Sequence, residues 1–126
     1  MRGLLDTSVF IAAEAGRTLR NLPDESAISV ITLAELHLGV LLAKDGPTRA
    51  RRLRTVTRVE RELEAIPIDS EVAHTFASIV AEARATGRRP RVMDTWIAAT
   101  GLRHGLVVFT QDADFADIPQ VQVQKV

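Results

Sequence analysis

Four carboxylates lie far apart in this chain, yet each stands where an apolar run gives way to a predicted helix. They are Asp6, Glu35, Asp94 and Asp112. If those runs form neighbouring strands and helices of one sheet, the acids converge at its edge, where open α/β sheets bind ligands. Carboxylate oxygens without a thiol or a paired imidazole suit hard cations such as Mg²⁺ or Mn²⁺. The pattern therefore indicates a metal site of the kind that cleaves phosphodiester bonds.

Each acid also has a purely structural interpretation. Asp6 and Asp94 can be N-caps of the helices that they open. Thr32 to Glu35 has the form of a capping box, and Asp112 can close an Asx turn. For any single acid the cap is the better explanation, and only the shared position of all four favours a site. Asp69 obeys the same local rule, but it follows a predicted edge strand and is left out of the site.

Three further polar side chains lie close in sequence to these acids: Ser8, Thr110 and Asp114. Carboxylates that are held together repel one another unless a cation neutralises them or a proton is shared. Neighbouring hydroxyls and acids can hold metal ligands or bound waters in place. We therefore expect these three residues to support the site.

The elements that must position the acids alternate along the chain. Short apolar runs predict strands at 4–5, 27–30, 66–68, 106–109 and 121–123. Helical spacing and breakers predict a helix that opens after Asp6 and ends at Gly16, and further helices at 32–44, 48–65, 70–86 and 94–103. Two extra helices thus lie between the second and third strands. This order predicts one α/β domain over residues 1–126, with a mainly parallel sheet and helices on both faces.

Composition limits the class of protein. The chain has 126 residues, of which 46% are hydrophobic and 25% charged, as in an ordinary globular domain. It contains no cysteine and no apolar stretch long enough to cross a bilayer, and we expect no signal peptide before the first strand. We therefore expect a cytoplasmic protein that does not associate with membranes and has no disulfide or thiolate metal site.

The positive charge is concentrated rather than uniform. The net charge is zero, from 16 basic and 16 acidic residues, which argues against a surface that is positive throughout. All basic residues except Lys44 and Lys125 are arginines, many of them in the segments 49–61 and 84–91. Arginine favours bidentate contacts to phosphate and carboxylate. For segment 49–61, a solvated helix face paired with nearby glutamates is at least as good an interpretation.

Four fragments occur in an order that identifies a family. They are Leu5-Asp6-Thr7-Ser8, Leu33-Ala34-Glu35-Leu36, Asp94-Thr95-Trp96-Ile97-Ala98-Ala99 and Thr110-Gln111-Asp112-Ala113-Asp114-Phe115. Each fragment is weak alone, but together they span almost the whole chain. With them, the chain resembles PIN-domain ribonucleases of the VapC type, the toxins of bacterial toxin–antitoxin pairs.

The resemblance implies a fold and an activity. The fold is a three-layer sandwich with a central, mainly parallel five-stranded sheet, and the activity is endoribonuclease cleavage that depends on Mg²⁺, with Mn²⁺ as a substitute. By the family pattern Asp6 and Asp94 are the direct metal ligands. Glu35 and Asp112 complete the acidic quartet, and Asp114 is a frequent fifth acid.

The resemblance also implies partners: an RNA substrate, a VapB-type antitoxin that occupies the acidic groove, and a second copy of the chain. The arginine-rich region between Gly39 and Ile66 varies in the family and is a candidate for setting RNA or antitoxin preference. Two other classes stay open. One is a phospho-accepting signalling module, which needs a late lysine where only Lys125 is present. The other is an interaction protein that keeps the fold without the activity.

The remaining notable side chains have structural interpretations. The three histidines, at positions 37, 74 and 104, fall on different predicted helices without metal-like spacing. Trp96 lies among apolar neighbours and is expected in the core, with Phe115 plugging the core beneath the site. None of these residues is predicted to do chemistry.

Overall fold

The computed structural model describes residues 1–126, in which five strands alternate with helices. The strands are β1 (Arg2–Leu5), β2 (Glu25–Ser29), β3 (Glu64–Ile66), β4 (Val107–Thr110) and β5 (Val123–Lys125). The helices are α1 (Thr7–Glu14), α2 (Val30–Leu41), α3 (Gly46–Glu62), α4 (Ser70–Ala85) and α5 (Val92–Arg103), followed by a 3₁₀ turn at Ala113–Asp117. None of the helices has both the length and the apolar character needed to span a membrane.

The strands form one wholly parallel sheet in the order β3-β2-β1-β4-β5. The centre is β1, where Gly3 pairs with Ser26 on one side and Val107 on the other. Since β1, β2 and β4 are adjacent and run in the same direction, their carboxyl ends lie side by side. The predicted α/β fold is confirmed, with β3 at a sheet edge as expected.

Alternation along each strand builds two hydrophobic layers. Leu4, Ala27 and Val108 point to one side of the sheet, where they join buried residues of α4 and α5. The following residues, which are Leu5, Ile28 and Phe109, point to the other side and join α1, α2 and α3. Successive strand residues face opposite sides of a sheet, so a single strand serves both layers. The result is the predicted three-layer sandwich.

Three aromatic residues, Phe76, Trp96 and Phe115, belong to the hydrophobic layer that contains α4 and α5, beneath the site. Phe115 is fully buried, which confirms its predicted role in the core. Trp96 is only partly buried: it packs against the core and stacks on Phe76 with ring centroids 3.8 Å apart. The buried Phe115 side chain anchors the 3₁₀ turn, which contains Asp114 and Asp117, to the core.

Several predicted boundaries are wrong by two residues or more. Val30 begins α2 instead of ending a strand, because the Ser29 hydroxyl accepts a hydrogen bond from the Ile31 N–H and caps the helix. The last strand is Val123–Lys125 rather than 121–123, since it pairs with β4 through Val108 to Thr110. Local patterns could not show which residue would supply the cap or the register.

Candidate active site

Asp6 is the acid that the sheet holds most firmly. It directly follows β1, and its N–H donates to the Phe109 carbonyl at 3.0 Å, so its backbone continues the β1–β4 ladder. Its side chain is 4% exposed and caps α1 by accepting a 3.4 Å hydrogen bond from the Ser8 N–H. The capping interpretation of Asp6 is therefore correct, and it does not use both carboxylate oxygens.

Two hydroxyls hold one oxygen of Asp6. Ser8 Oγ and Thr110 Oγ1 donate to Asp6 Oδ2 at 2.7 and 2.8 Å. Ser8 Oγ in turn accepts from the Gln111 N–H, and Thr110 Oγ1 accepts from the Asp112 N–H, both at 2.9 Å. An ionised carboxylate can only accept, so each hydroxyl donates its own proton to Asp6 while it accepts a backbone N–H. The other oxygen, Oδ1, receives no hydrogen bond from the protein and is not sealed from solvent.

Glu35 lies in the middle of α2 rather than at its start. The helix begins at Val30, so Glu35 is its sixth residue, and the capping box proposed for Thr32 to Glu35 is wrong. The Thr7 hydroxyl on α1 donates to Glu35 Oε1 at 2.6 Å. Glu35 is therefore a half-buried acid tied to the residue next to Asp6, and its other oxygen receives no hydrogen bond from the protein.

Asp94 also has no capping role. It is the third residue of α5, and Arg91 is the N-cap residue, with no side-chain cap bond. Burial raises the pKa of Asp94 to about 6, and the negative charges of Asp6 and Asp112 add to the rise. Arg91 opposes the rise, and Glu35 contributes weakly to it. The charges of the three other acids of the quartet all act on Asp94, so the four lie on the same side of the molecule without forming a closed cluster.

Asp112 and Asp114 occupy the 3₁₀ turn after β4. Asp112 Oδ1 accepts the Asp114 N–H at 2.8 Å, which confirms the predicted Asx-type turn. Asp114 is more exposed and forms an ion pair with Arg91 at 2.9 Å. The hydrogen bond to Asp114, together with the charges of Asp94 and Asp112, raises the pKa of the Arg91 guanidinium. The positively charged guanidinium of Arg91 therefore lies at the rim of the group of acids.

The donor set fits a hard cation with few protein ligands. No three acids or histidines are arranged as a ready-made metal cage. Mg²⁺ is usually held by one or two carboxylates and keeps several waters, so a closed cage is not required. The free Oδ1 of Asp6 and the electrostatically strained Asp94 are the two carboxylates best placed to meet such an ion. A bound cation would relieve the repulsion that raises the pKa of Asp94.

Two cavities flank the acids. One of about 420 Å³ lies beside Asp94 and Asp114 and is lined by Arg88, Arg89 and Arg91. The other, of about 190 Å³, includes Thr7 and Glu35 and extends along α1. Asp94 and Asp114 therefore border one cavity, and Glu35 borders the other.

Two residues of the site were not predicted from the sequence. Thr7, which positions Glu35, belongs to a fragment that was identified, but its partner is 28 residues away. Arg91 was noted only as part of an arginine cluster, although its spacing of three residues from Asp94 predicts contact on a helix. Asp69, which was left out of the predicted site, caps α4: its carboxylate accepts the Val72 N–H at 2.9 Å.

Comparisons with known proteins agree on one family. Residues 3–121 match the family model described as PIN domain. Ribonuclease VapC5 of Mycobacterium tuberculosis is 47% identical over 116 residues, which is 90% of this chain and 85% of that protein. Ribonuclease VapC4 of the same organism is 44% identical over 127 residues, covering 97% and 95%. The crystal structure of the toxin–antitoxin pair VapBC-5 from M. tuberculosis contains a chain that superposes with a TM-score of 0.84 at 41% identity, covering 99% and 97%.

Proposed function

Because the chain belongs to the PIN-domain family, as a ribonuclease of the VapC type from a toxin–antitoxin system, we propose that it hydrolyses RNA through a divalent cation held by Asp6 and Asp94. Mg²⁺ is the proposed ion, and Mn²⁺ substitutes for it. The observation that carries this proposal is the placement of Asp6 at the end of β1, where Ser8 and Thr110 hold one carboxylate oxygen and leave the other open to solvent. Burial, followed by the charges of Asp6 and Asp112, raises the pKa of Asp94 to about 6, and a divalent cation would offset this repulsion.

The side chains of the site have different proposed roles. Asp6 offers Oδ1 to the ion while Ser8 and Thr110 hold Oδ2. Glu35, fixed through one oxygen by Thr7, has its second oxygen free to orient the attacking water and accept its proton. Asp112 and Asp114 add negative charge on the opposite wall. When bound, the cation supplies Lewis-acid chemistry: it lowers the pKa of a water and offsets charge on the phosphate.

We further propose a VapB-type antitoxin as the natural inhibitor. Relatives of known structure come from VapBC toxin–antitoxin complexes. The Arg91–Asp114 ion pair supports inhibition by a basic side chain, because it demonstrates that a guanidinium fits at the rim of the acids. A homodimer is proposed as the second assembly. Exposed apolar side chains at the end of α2, which are Leu38, Leu41 and the C-cap residue Leu42, support a protein contact there.

The test of catalysis uses protein purified free of antitoxin. It should cleave structured RNA with Mg²⁺ and stop when EDTA is added, and Asp6→Asn and Asp94→Asn should abolish cleavage. Asp69→Asn is the matched control, since Asp69 also follows a strand and opens a helix but lies away from the crevice. Cleavage by the Asp6 and Asp94 variants at the wild-type rate would overturn the site.

A second measurement follows the metal without activity. Mg²⁺ or Mn²⁺ binds only the folded protein and should raise its melting temperature. The same ions should leave the melting temperature of the Asp94→Asn protein unchanged. An equal rise in both proteins would show that the ion binds elsewhere.

A further inference from the structure

Four arginines of α3 form a stripe without partners. Arg51, Arg54, Arg58 and Arg61 recur at intervals of three, four and three residues, which places them on one face of the helix. All four are exposed, and none takes part in any of the five ion pairs of the protein. We call these four residues the arginine stripe.

The other arginines of α3 differ from the stripe. Arg49 donates to the Ala43 carbonyl at 3.1 Å and Arg52 to the Gly39 carbonyl at 2.7 Å, so both fasten α3 to the end of α2. None of the nearby glutamates, which are Glu14, Glu60, Glu62 and Glu64, forms an ion pair with the stripe. Glu60 binds His37, and Glu64 pairs with Arg2. The stripe is therefore not the mutually paired, solvated face that the sequence alone allowed.

The stripe lines the largest cleft of the molecule. This cleft, of about 790 Å³, lies between α1 and α3, with Phe10, Ala13 and Leu53 among its apolar lining. Glu14 of α1 lines both this cleft and the smaller cavity that holds Thr7 and Glu35. The two cavities are therefore neighbours along α1, and the smaller one contains Glu35 of the proposed site.

We propose that the arginine stripe binds the phosphate backbone of the RNA substrate at a distance from the bond that is cut. This inference rests on the proposed ribonuclease function. A run of ten residues rises about 15 Å along a helix, enough to track several nucleotides. Guanidinium groups match phosphates bidentately. A protein partner would have to bring a row of carboxylates to the same four guanidinium groups, whereas an RNA strand carries a phosphate at every nucleotide.

The test measures RNA binding without cleavage. A labelled single-stranded RNA longer than about 16 nucleotides is titrated, in EDTA, with protein carrying Asp6→Asn, and anisotropy gives the affinity at several salt concentrations. The stripe variant adds Arg54→Gln, Arg58→Gln and Arg61→Gln. The control adds Arg17→Gln, Arg20→Gln and Arg84→Gln, which remove the same charge from exposed positions outside the cleft.

The stripe variant should bind RNA about 10-fold or more weakly, and its salt slope should fall by about 2, as expected for three lost phosphate contacts on a single strand. The control should keep the wild-type slope. Equal losses in the two variants would overturn the proposal. So would a stripe variant that binds RNA normally but loses affinity for the antitoxin, because the cleft would then serve a protein. Unfolding curves check that each variant is folded.

This outcome is separable from the proposed function. Wild-type protein that binds RNA through the stripe but does not cut it with Mg²⁺ would refute the catalysis and leave the stripe intact. Wild-type protein that cuts RNA, with a stripe variant of unchanged affinity and slope, would refute the stripe alone.

Discussion

Asp94 is unusual because its ionisation opposes folding in the absence of metal. Its pKa in the folded protein is about 6, whereas an aspartate in an unfolded chain ionises near 4. The folded state therefore binds this proton more tightly. As pH rises from about 4 through 6, the unfolded state becomes ionised first, and the contribution of Asp94 to stability falls. Most native aspartates have the opposite effect.

Asp94→Asn should stabilise the metal-free protein at neutral pH. The amide removes a charge that three neighbouring carboxylates disfavour. Because the group is about half solvated, we expect about 1 kcal/mol, or roughly 4 °C in melting temperature at pH 7. Thermal unfolding in EDTA at several pH values measures the difference, which should vanish near pH 4. A gain that is the same at pH 4 and pH 7 would contradict this origin.

Ser8→Ala and Thr110→Val remove the hydroxyls that fix Asp6. Each should lower the affinity for Mn²⁺ by about 10- to 100-fold, the usual effect of losing a group that orients a metal ligand. Calorimetric titration with Mn²⁺ measures the affinity. Thr75→Val is the control, because the Thr75 hydroxyl only returns a hydrogen bond to the Glu71 carbonyl of its own helix. Normal Mn²⁺ affinity in both variants would show that Asp6 needs no such support.

The contact between β1 and the aromatic ring behind it limits what the central strand accepts. A Cβ atom added at Gly3 would lie 2.3 Å from Phe109 Cε1 and 3.0 Å from Pro23 Cβ. Phe109 is buried, and its carbonyl receives the Asp6 N–H. Any side chain at position 3 therefore displaces the strand that carries the acid.

Gly3→Ala should destabilise the protein by about 1–3 kcal/mol, as overpacking in a core usually does. Urea unfolding measures the loss. The control is Gly46→Ala, since nothing lies within 4 Å of the Cβ that this change adds at the start of α3. That change should be neutral or slightly stabilising. A tolerated Gly3→Ala would mean that the Phe109 ring moves freely.

The helices and strands could be predicted from the sequence where a local pattern determines them. The candidate site could be predicted only in part. Apolar runs followed by Asp6 and by Asp112 located two acids at strand ends, and the structure confirms both turns. The capping box from Thr32 to Glu35 failed because Ser29, three residues before Thr32, already caps α2. Contacts between distant segments, such as Thr7 with Glu35, have no local signature. Sequence patterns identify which residues lie near strand ends, and the packing decides which of them touch.

The two hydrophobic layers share every central strand, so they should melt together. Trp96 is the single tryptophan and belongs to the layer of α4 and α5, whereas Val59 is buried in the opposite layer. Val59→Ala should cost roughly 2 kcal/mol and lower the urea midpoints of Trp96 fluorescence and of far-UV circular dichroism equally.

Val92→Ala provides the control for this coupling. Val92 lies four residues from Trp96 but is 62% exposed, so its truncation should move neither midpoint. A fluorescence midpoint that Val59→Ala leaves in place would show that the layers unfold separately.

The pairing of the late strand β4 with the central strand β1 also sets the time at which a newly made chain can acquire its site. A nascent chain that has left the ribosome as far as Arg103 already carries Asp6, Glu35 and Asp94. It still lacks Thr110, which holds Asp6, and the strand that pairs with β1. Since β1 lies between β2 and β4, one edge of it stays open until then. Prematurely terminated products of this length should therefore leave the translation machinery unharmed.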